Sequence, residues 1–330
     1  MRPPAIEAAR HVVLGDAGAA ALVRAGARDV IVLRDLLAIG PCARDPRRHA
    51  HVRRGFWRSF LGELYPSALR AAPPERTILG RDELARSLRR RPRAPVVMWT
   101  AARWSERRAL AFAAGPLARI DAWIAPAGPF GASAADAARL GAILARAARA
   151  GPELAALDRL WRAYVRPAPA EMPGAVRGAS RLLPDLPRSS RVYLDLFPRV
   201  RGKRLHVSAL DRLLLGAHAE PMALVGVLRL RPRLSRRLLL SLGDLVLDVR
   251  RHAWLARGAL EVAEDDPVPL RRRLRLTAYG ARILRGGLER PAEAPPLFAG
   301  GHELYGPATW AARGGRLAPW APRRRAPPRR

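Results

Sequence analysis

The chain has 330 residues and a formal charge of +32 at pH 7, from 60 Lys and Arg against 28 Asp and Glu. Its one cysteine, Cys42, excludes an internal disulfide framework and gives no support for a thiolate metal cluster. No apolar run approaches the ~20 residues that span a bilayer, and the N-terminus lacks the order of a secretory signal, so a soluble, cytoplasmic protein is expected.

Taken in chain order, His11 to Leu14 is a short apolar run closed by Gly15 and Asp16. A small-residue helix follows from Ala17 to Ala25 and stops at Gly26; Val30 to Leu33 is a second strand ending in Arg34 and Asp35. In open α/β sheets ligands sit beyond the carboxyl ends of such strands, so Gly15, Asp16, Arg34, Asp35 and Gly40 are candidate ligand-binding residues. A helix is predicted from Arg47 to Leu64, with Phe56, Trp57, Phe60 and Leu61 on one face as core. A basic helix runs from Arg81 to Arg90, and Pro95 to Trp99 is a third strand. Thr100 to Arg103 turns into a helix from Trp104 to Ala114, which places Trp99 and Glu106 among the candidates. Ile120 to Ile124 is a fourth strand. Strands alternating with helices predict an α/β fold with a mainly parallel, doubly wound sheet. A helical segment from Ser133 to Val165, interrupted at Gly151 and Pro152, closes this first domain, residues 1–165.

Residues 166–187 are rich in Pro and Gly, without sustained period, and are expected to link to a second domain over 188–290. There Ser208 starts a helix to His218, Met222 to Leu230 forms a second and Leu245 to Leu255 a third. Ala259 to Val262 and Arg273 to Leu276 pair around an acidic turn, Glu264 to Asp266, and Thr277 caps a last helix to Leu284. Helices, a hairpin and a closing helix match the texture of a winged-helix-like α+β domain. Residues 291–330 are an extension whose Arg/Pro end, from Ala321, is expected to be disordered.

Lys203 is the only lysine, and the chain has no Asn and no Gln. Codon bias in a GC-rich genome accounts for arginine replacing lysine, but not for the shortage of acids. The remaining positive potential suits a polyanion, with nucleic acid foremost, against the plainer alternative of a generally basic protein. Arg250, Arg251 and Arg257 on the third helix and Arg271, Arg272 and Arg273 beside the hairpin are candidate phosphate contacts, against a solvated basic face. Bidentate adenine readout uses Asn or Gln, so base reading here would rest on arginine to guanine.

Gly15, Asp16, Ala17 and Gly18 stand where a helix N-terminus can cradle phosphate, but Asp16 is itself negative and the GxGxxG fingerprint is absent. An aspartate cap is the plainer explanation. His11 with Asp16, Asp35 and Glu106 has the donors for acid–base work or a divalent cation, yet no HExxH, paired-cysteine or GxSxG pattern occurs. His11 also starts its strand, roughly 13 Å from Asp16 at the other end, and reads as a hydrogen-bonded strand residue. His49 and His51, two apart on a helix, face different ways and make a poor metal pair. Cys42 reads as a bystander thiol. No metal site is expected and no cofactor is indicated.

The opening stretch resembles the bacterial domain-of-unknown-function family eighteen-thirty-five, through His11, Gly15 and Asp16, Arg34 and Asp35, and Gly40 and Pro41. Trp99 and Glu106 match its next strand and helix, and the segment from Trp161 to Pro167 is similar to the one before its linker. Gly243 and Asp244, Leu276 to Gly280, and Gly300 to Leu304 resemble pieces of its usual C-terminal half. Ala17 stands where the family has serine and Leu33 where it has tryptophan, and the charge around Arg103 is reversed. The resemblance implies the two-domain architecture and supplies no activity. The leading expectation is a nucleic-acid-associated or regulatory protein whose α/β domain binds a small anionic ligand. The alternatives are an enzyme acting on a phosphorylated or nucleotide substrate through the strand-end carboxylates, and a module that binds a protein partner.

Overall fold

A computed structural model describes residues 3–35, 37, 39–90, 94–101, 104–118, 120–126, 137–151, 153–166, 171–181, 183–202, 204–229, 244–288, 297–299, 302–305, 309–314 and 316–320. The main sheet has five strands: β1 (Arg10–Leu14), β2 (Asp29–Leu33), β3 (Val96–Thr100), β4 (Ala122–Pro126) and β5 (Ala148–Arg149), in the order β2-β1-β3-β4-β5. The first four are parallel, with Leu14 opposite Leu33, Val12 opposite Met98 and Thr100 opposite Pro126; β5 runs antiparallel at the edge.

Parallel strands covered on both faces read as continuous apolar runs, because alternate side chains enter two different cores. Val12, Val96, Met98 and Ile124 face one core, with Trp57, Leu84 and Leu110. These come from α2 (Pro46–Leu64), α5 (Arg81–Arg89) and α6 (Trp104–Leu117), with the short α3 (Pro66–Ala71) and α4 (Pro74–Thr77) between. Val13, Val97, Trp99 and Trp123 face the other core, against Leu22 of α1 (Asp16–Arg24) and Leu140 and Ile143 of α7 (Ala137–Leu144). Helix α2 begins where Pro46 fits the first turn and the Asp45 carboxylate accepts from Arg47 N at 2.9 Å.

The expected closing helix is divided. After α7 the chain makes β5, and only then α8 (Glu153–Val165), because Ala150 N donates to Ala122 O at 2.7 Å and extends the sheet. The expected linker holds a helix, α9 (Met172–Ala179), and the start of another, α10 (Leu186–Leu194). Met172, Val176 and Ala179 are buried along α9, a stripe that the prolines obscure in sequence, and Leu183 and Leu186 are buried after it. One hydrophobic cluster continues from Val12 to Tyr305, so both halves of the chain share a core.

Beyond α10, β6 (Arg199–Arg201) and β7 (Arg204–His206) form a hairpin. It belongs to a four-stranded sheet, β13-β12-β6-β7, completed by β12 (Trp310–Arg313) and β13 (Arg316–Pro319). Helices α11 (Ala209–Ala217), α12 (Leu224–Arg229) and α13 (Asp244–Ala256) precede the antiparallel pair β8 (Leu260–Glu264) and β9 (Arg273–Leu276), and α14 (Ala278–Gly286) follows. Ser208 and Thr277 cap α11 and α14, accepting from Asp211 N and Gly280 N at 2.9 and 3.0 Å. Met222 bridges to Leu274 of β9, and a short hairpin, β10 (Leu297–Ala299) with β11 (His302–Leu304), packs behind. Among the described residues no helix is long and apolar enough to cross a membrane. Arg103, Gly243, Gly300, Gly301 and the 321–330 tail lie outside the described residues.

Candidate functional site

Strand order reverses between β1 and β3, and the carboxyl ends there are where open α/β sheets bind ligands. Gly15 N donates to Leu33 O at 2.9 Å, which sets the ends of β1 and β2 side by side. Gly15 has φ +80, and nothing lies within 4 Å of where a Cβ would stand. Arg34 reaches back to Asp16, with Nη2 2.6 Å and Nε 2.8 Å from Oδ1, in a solvent-exposed pair.

Asp35 turns the other way, into the core under α2. Arg53 donates to both its oxygens, Nη2 to Oδ1 at 2.6 Å and Nε to Oδ2 at 2.8 Å, and Trp57 Nε1 adds a third bond at 2.9 Å. Burial pushes the Asp35 pKa up, but the Arg53 charge and the hydrogen bonds from Arg53 and Trp57 outweigh it and hold the carboxyl below its usual range. Arg53 Nη1 also donates to Ile39 O and Pro41 O, at 2.6 and 3.0 Å. Gly40 in that loop has φ +73, and the Phe56 ring sits 2.6 Å from its missing Cβ, so no larger residue fits. From the far side Tyr164 of α8 donates to Leu37 O at 2.5 Å and accepts from Arg108 Nη1 at 2.8 Å. Burial raises the Cys42 pKa to about 11, so it is a thiol and not a nucleophile at neutral pH.

Gly15, Asp16, Arg34 and Asp35 therefore follow the adjacent ends of β1 and β2, with Gly40 in the next loop, but Asp16 and Arg34 face solvent while Asp35 is turned into the core. Trp99 does not join them. Its indole faces the opposite core and donates to His11 Nδ1 at 2.9 Å, while His11 Nε2 donates to Ile6 O at 2.8 Å. Burial lowers the His11 pKa, so this neutral histidine is a structural link between β1 and β3. Glu106 stands half-buried in the first turn of α6. Among the described residues no group of His, Cys, Asp and Glu can hold a metal ion. Asp35 is saturated by donors and Asp16 is paired at the surface, so neither is poised as a base.

The arginines expected to meet phosphate divide sharply. Arg250 and Arg251 are completely buried and Arg257 nearly so, which corrects their placement on a solvent face. Helical spacing carries Val246, Arg250 and Trp254 along the inner stripe of α13. Asp211, also buried, accepts from Arg250 Nη1 at 3.0 Å and Trp254 Nε1 at 3.0 Å, and from Tyr305 and Ser208 hydroxyls at 2.5 Å each. Arg251 donates to Pro269 O at 2.9 Å and lies 3.4 Å from Asp248; Arg257 donates to Ala253 O at 2.9 Å beside the Trp254 ring. Near the hairpin, Arg272 pairs with Asp265 at 2.7 Å and Arg273 with Glu264 at 2.8 Å, while Arg271 is exposed. The outer side of α13 meets α2: Tyr65 bonds to Asp248, and the Phe60 and His252 rings are 6.4 Å apart.

A basic cleft that sequence reasoning missed lies between the end of α10, β6, β7 and α11. It encloses about 350 Å³ and is lined by Arg199, Arg201, His206 and Arg212, with Asp195 the one acidic wall residue among those described. Arg199 stands opposite His206 and Arg201 opposite Arg204, so these four side chains share one face of the hairpin. Asp195 pairs with Arg199. Arg201, Arg204 and Arg212 have no carboxylate partner among the described residues. His206 Nδ1 is buried without a hydrogen-bond partner, and its pKa is lowered by burial and then by Arg201, Arg212 and Arg204. Such a group can hold an oxyanion between guanidinium donors while the imidazole gains the partner it lacks. The signal was the alternation of basic residues around Gly202, in strands too short for periodicity to reveal. No protein-family model, curated protein or solved structure matches the chain.

Proposed function

We propose that the protein is nucleic-acid-associated and holds phosphates electrostatically at the face formed by β6, β7 and α11. The observation that carries this reading is the gathering of Arg199, Arg201, His206 and Arg212 in the cleft beside Asp195, with Arg204 opposite Arg201 on the same face of the hairpin. The C-terminal half is read as a winged-helix-like unit, supported by the order α11, the Met222 bridge, α12, α13, the β8–β9 hairpin and α14. The basic residues of α13 are internal, so the contact is with the phosphate backbone and not with base edges.

The α/β half is read as a small-ligand domain, supported by the open space at Gly15 beside the strand-order reversal. An enzymatic reading has less to stand on, since Asp35 accepts three hydrogen bonds and Asp16 an ion pair.

Fluorescence anisotropy with labelled duplex and single-stranded oligonucleotides over a salt series tests the proposal. Each phosphate contact contributes about −0.9 to the slope of log affinity against log salt on B-DNA, so the Arg201→Glu, Arg212→Glu double variant should flatten it by roughly 2. Arg271→Glu should change it by about 1 at most. Unchanged affinity and slope in the double variant would remove the cleft as the binding face.

A further inference from the structure

A groove of about 600 Å³ runs between α9, α10 and β13. Met172, Val176, Leu194 and Leu317 make it apolar, and Arg177, Arg191 and Arg316 also line it. These three arginines are exposed, and none is in an ion pair among the described residues. Among the described residues no acidic side chain lines the groove. Ligand sites for small molecules fall in this size range and combine an apolar lining with a few convergent polar groups.

We infer that this groove binds an anionic amphiphile: an apolar body, such as a medium-length acyl chain, ending in a carboxylate or phosphate head. The apolar lining gains by losing water, at roughly 25 cal/mol per Å². The head group relieves the mutual repulsion of three unpaired guanidiniums and offers them a planar or tetrahedral acceptor set. A nucleic-acid strand is a poor occupant, because its sugar-phosphate backbone has no apolar body to cover Met172, Val176 and Leu317. The chain's own end, 321–330, follows β13 closely but carries five arginines, which would add to the charge instead of offsetting it. The inference stands apart from nucleic-acid binding, since it uses none of the cleft residues.

Isothermal titration of the full chain with decanoate and decyl phosphate, below their micellar concentrations, tests the site. Decanol and decyltrimethylammonium serve as the neutral and cationic comparisons. Both anions should bind at least about tenfold more tightly than decanol, since hydrogen bonds to charged groups contribute more than 1 kcal/mol each. Replacing Arg177, Arg191 and Arg316 together by Ala should reduce anion affinity to that of decanol. Leu317→Trp, at a partly exposed position, should fill the groove and abolish binding of both anions while leaving far-UV circular dichroism and oligonucleotide binding unchanged. Preference for only one anion would assign the head group. Equal affinity for decanol and decanoate, or anion binding that survives both the triple variant and Leu317→Trp, would overturn the proposal.

Discussion

Tyr65, at the end of α2, donates its hydroxyl proton to Asp248, a fully buried carboxylate of α13 lying 183 residues away in the chain. Burial, and then the bond to Asp248 and its charge, push the Tyr65 pKa well up, so the hydroxyl stays protonated as the donor. The bond joins the two halves above a hydrophobic cluster that they already share. Tyr65→Phe should therefore destabilise the whole protein by about 1.5–3 kcal/mol, the usual worth of a hydrogen bond to a charged group. Urea unfolding should stay a single transition by near- and far-UV signals. Two separated transitions in the unaltered protein would contradict a shared core.

The two strand-end aspartates should behave differently on truncation. Asp35→Ala leaves the Arg53 charge buried without its carboxylate and is expected to cost about 3–5 kcal/mol. Asp16→Ala breaks only an exposed pair and should cost under about 1 kcal/mol. Chemical denaturation midpoints decide this, and similar losses in both variants would contradict the buried clamp.

Arg250→Ala strips Asp211 of its cation inside the core and should likewise cost about 3–5 kcal/mol. Arg271→Ala, at the surface, should stay within about 0.5 kcal/mol. A loss of nucleic-acid binding in the first variant would thus report unfolding and not a missing phosphate contact, which a thermal melt on the same sample distinguishes.

Much of the main sheet was legible because burial on two faces leaves apolar runs that end in polar turns, as in His11 to Asp16 and Val30 to Asp35. Helix α2 showed itself through its apolar face at Phe56, Trp57, Phe60 and Leu61. The strands β6, β7, β12 and β13 were not legible. They are three or four residues long, and Ala312 finds Arg199 only across the fold, so no local period marks them. Of the site, the strand-end positions could be read but not the partners of Asp35 and Asp211. Arg53 and Arg250 lie on helical stripes, His49–Arg53–Trp57 and Val246–Arg250–Trp254, that mark them as internal. In a chain this rich in arginine, charge alone conceals that distinction.

Acid should unfold the protein over a window set by its buried histidines. Burial holds the pKa values of His49, His218 and His302 at about 4, against 6.5 for a free imidazole. The Arg53 charge lowers that of His49 further. Between these values the unfolded chain binds protons that the folded protein does not, so stability is full above pH 6.5 and falls as pH drops toward 4. Each histidine contributes a slope of about 1.4 kcal/mol per pH unit in that window. Asp35, whose pKa is depressed, contributes stability that is lost only further down, below its usual carboxylate value. Denaturant unfolding measured at several pH values should give a slope of about three protons or more, since the His11 and His206 pKa values are lowered too, falling by about one in His49→Phe. A flat profile between pH 6.5 and 4 would contradict neutral burial of these rings.

The seating of α2 against α13, through Tyr65, Asp248, Phe60 and His252, has a kinetic consequence. A duplex seeking α13 meets a closed seam, and the encounter must wait for the seam to part. Its observed rate would level off as oligonucleotide concentration rises, at the frequency of opening. The proposed capture at the face of Arg201 and Arg212 would need no such step, and its rate would climb in proportion to concentration, faster at low salt.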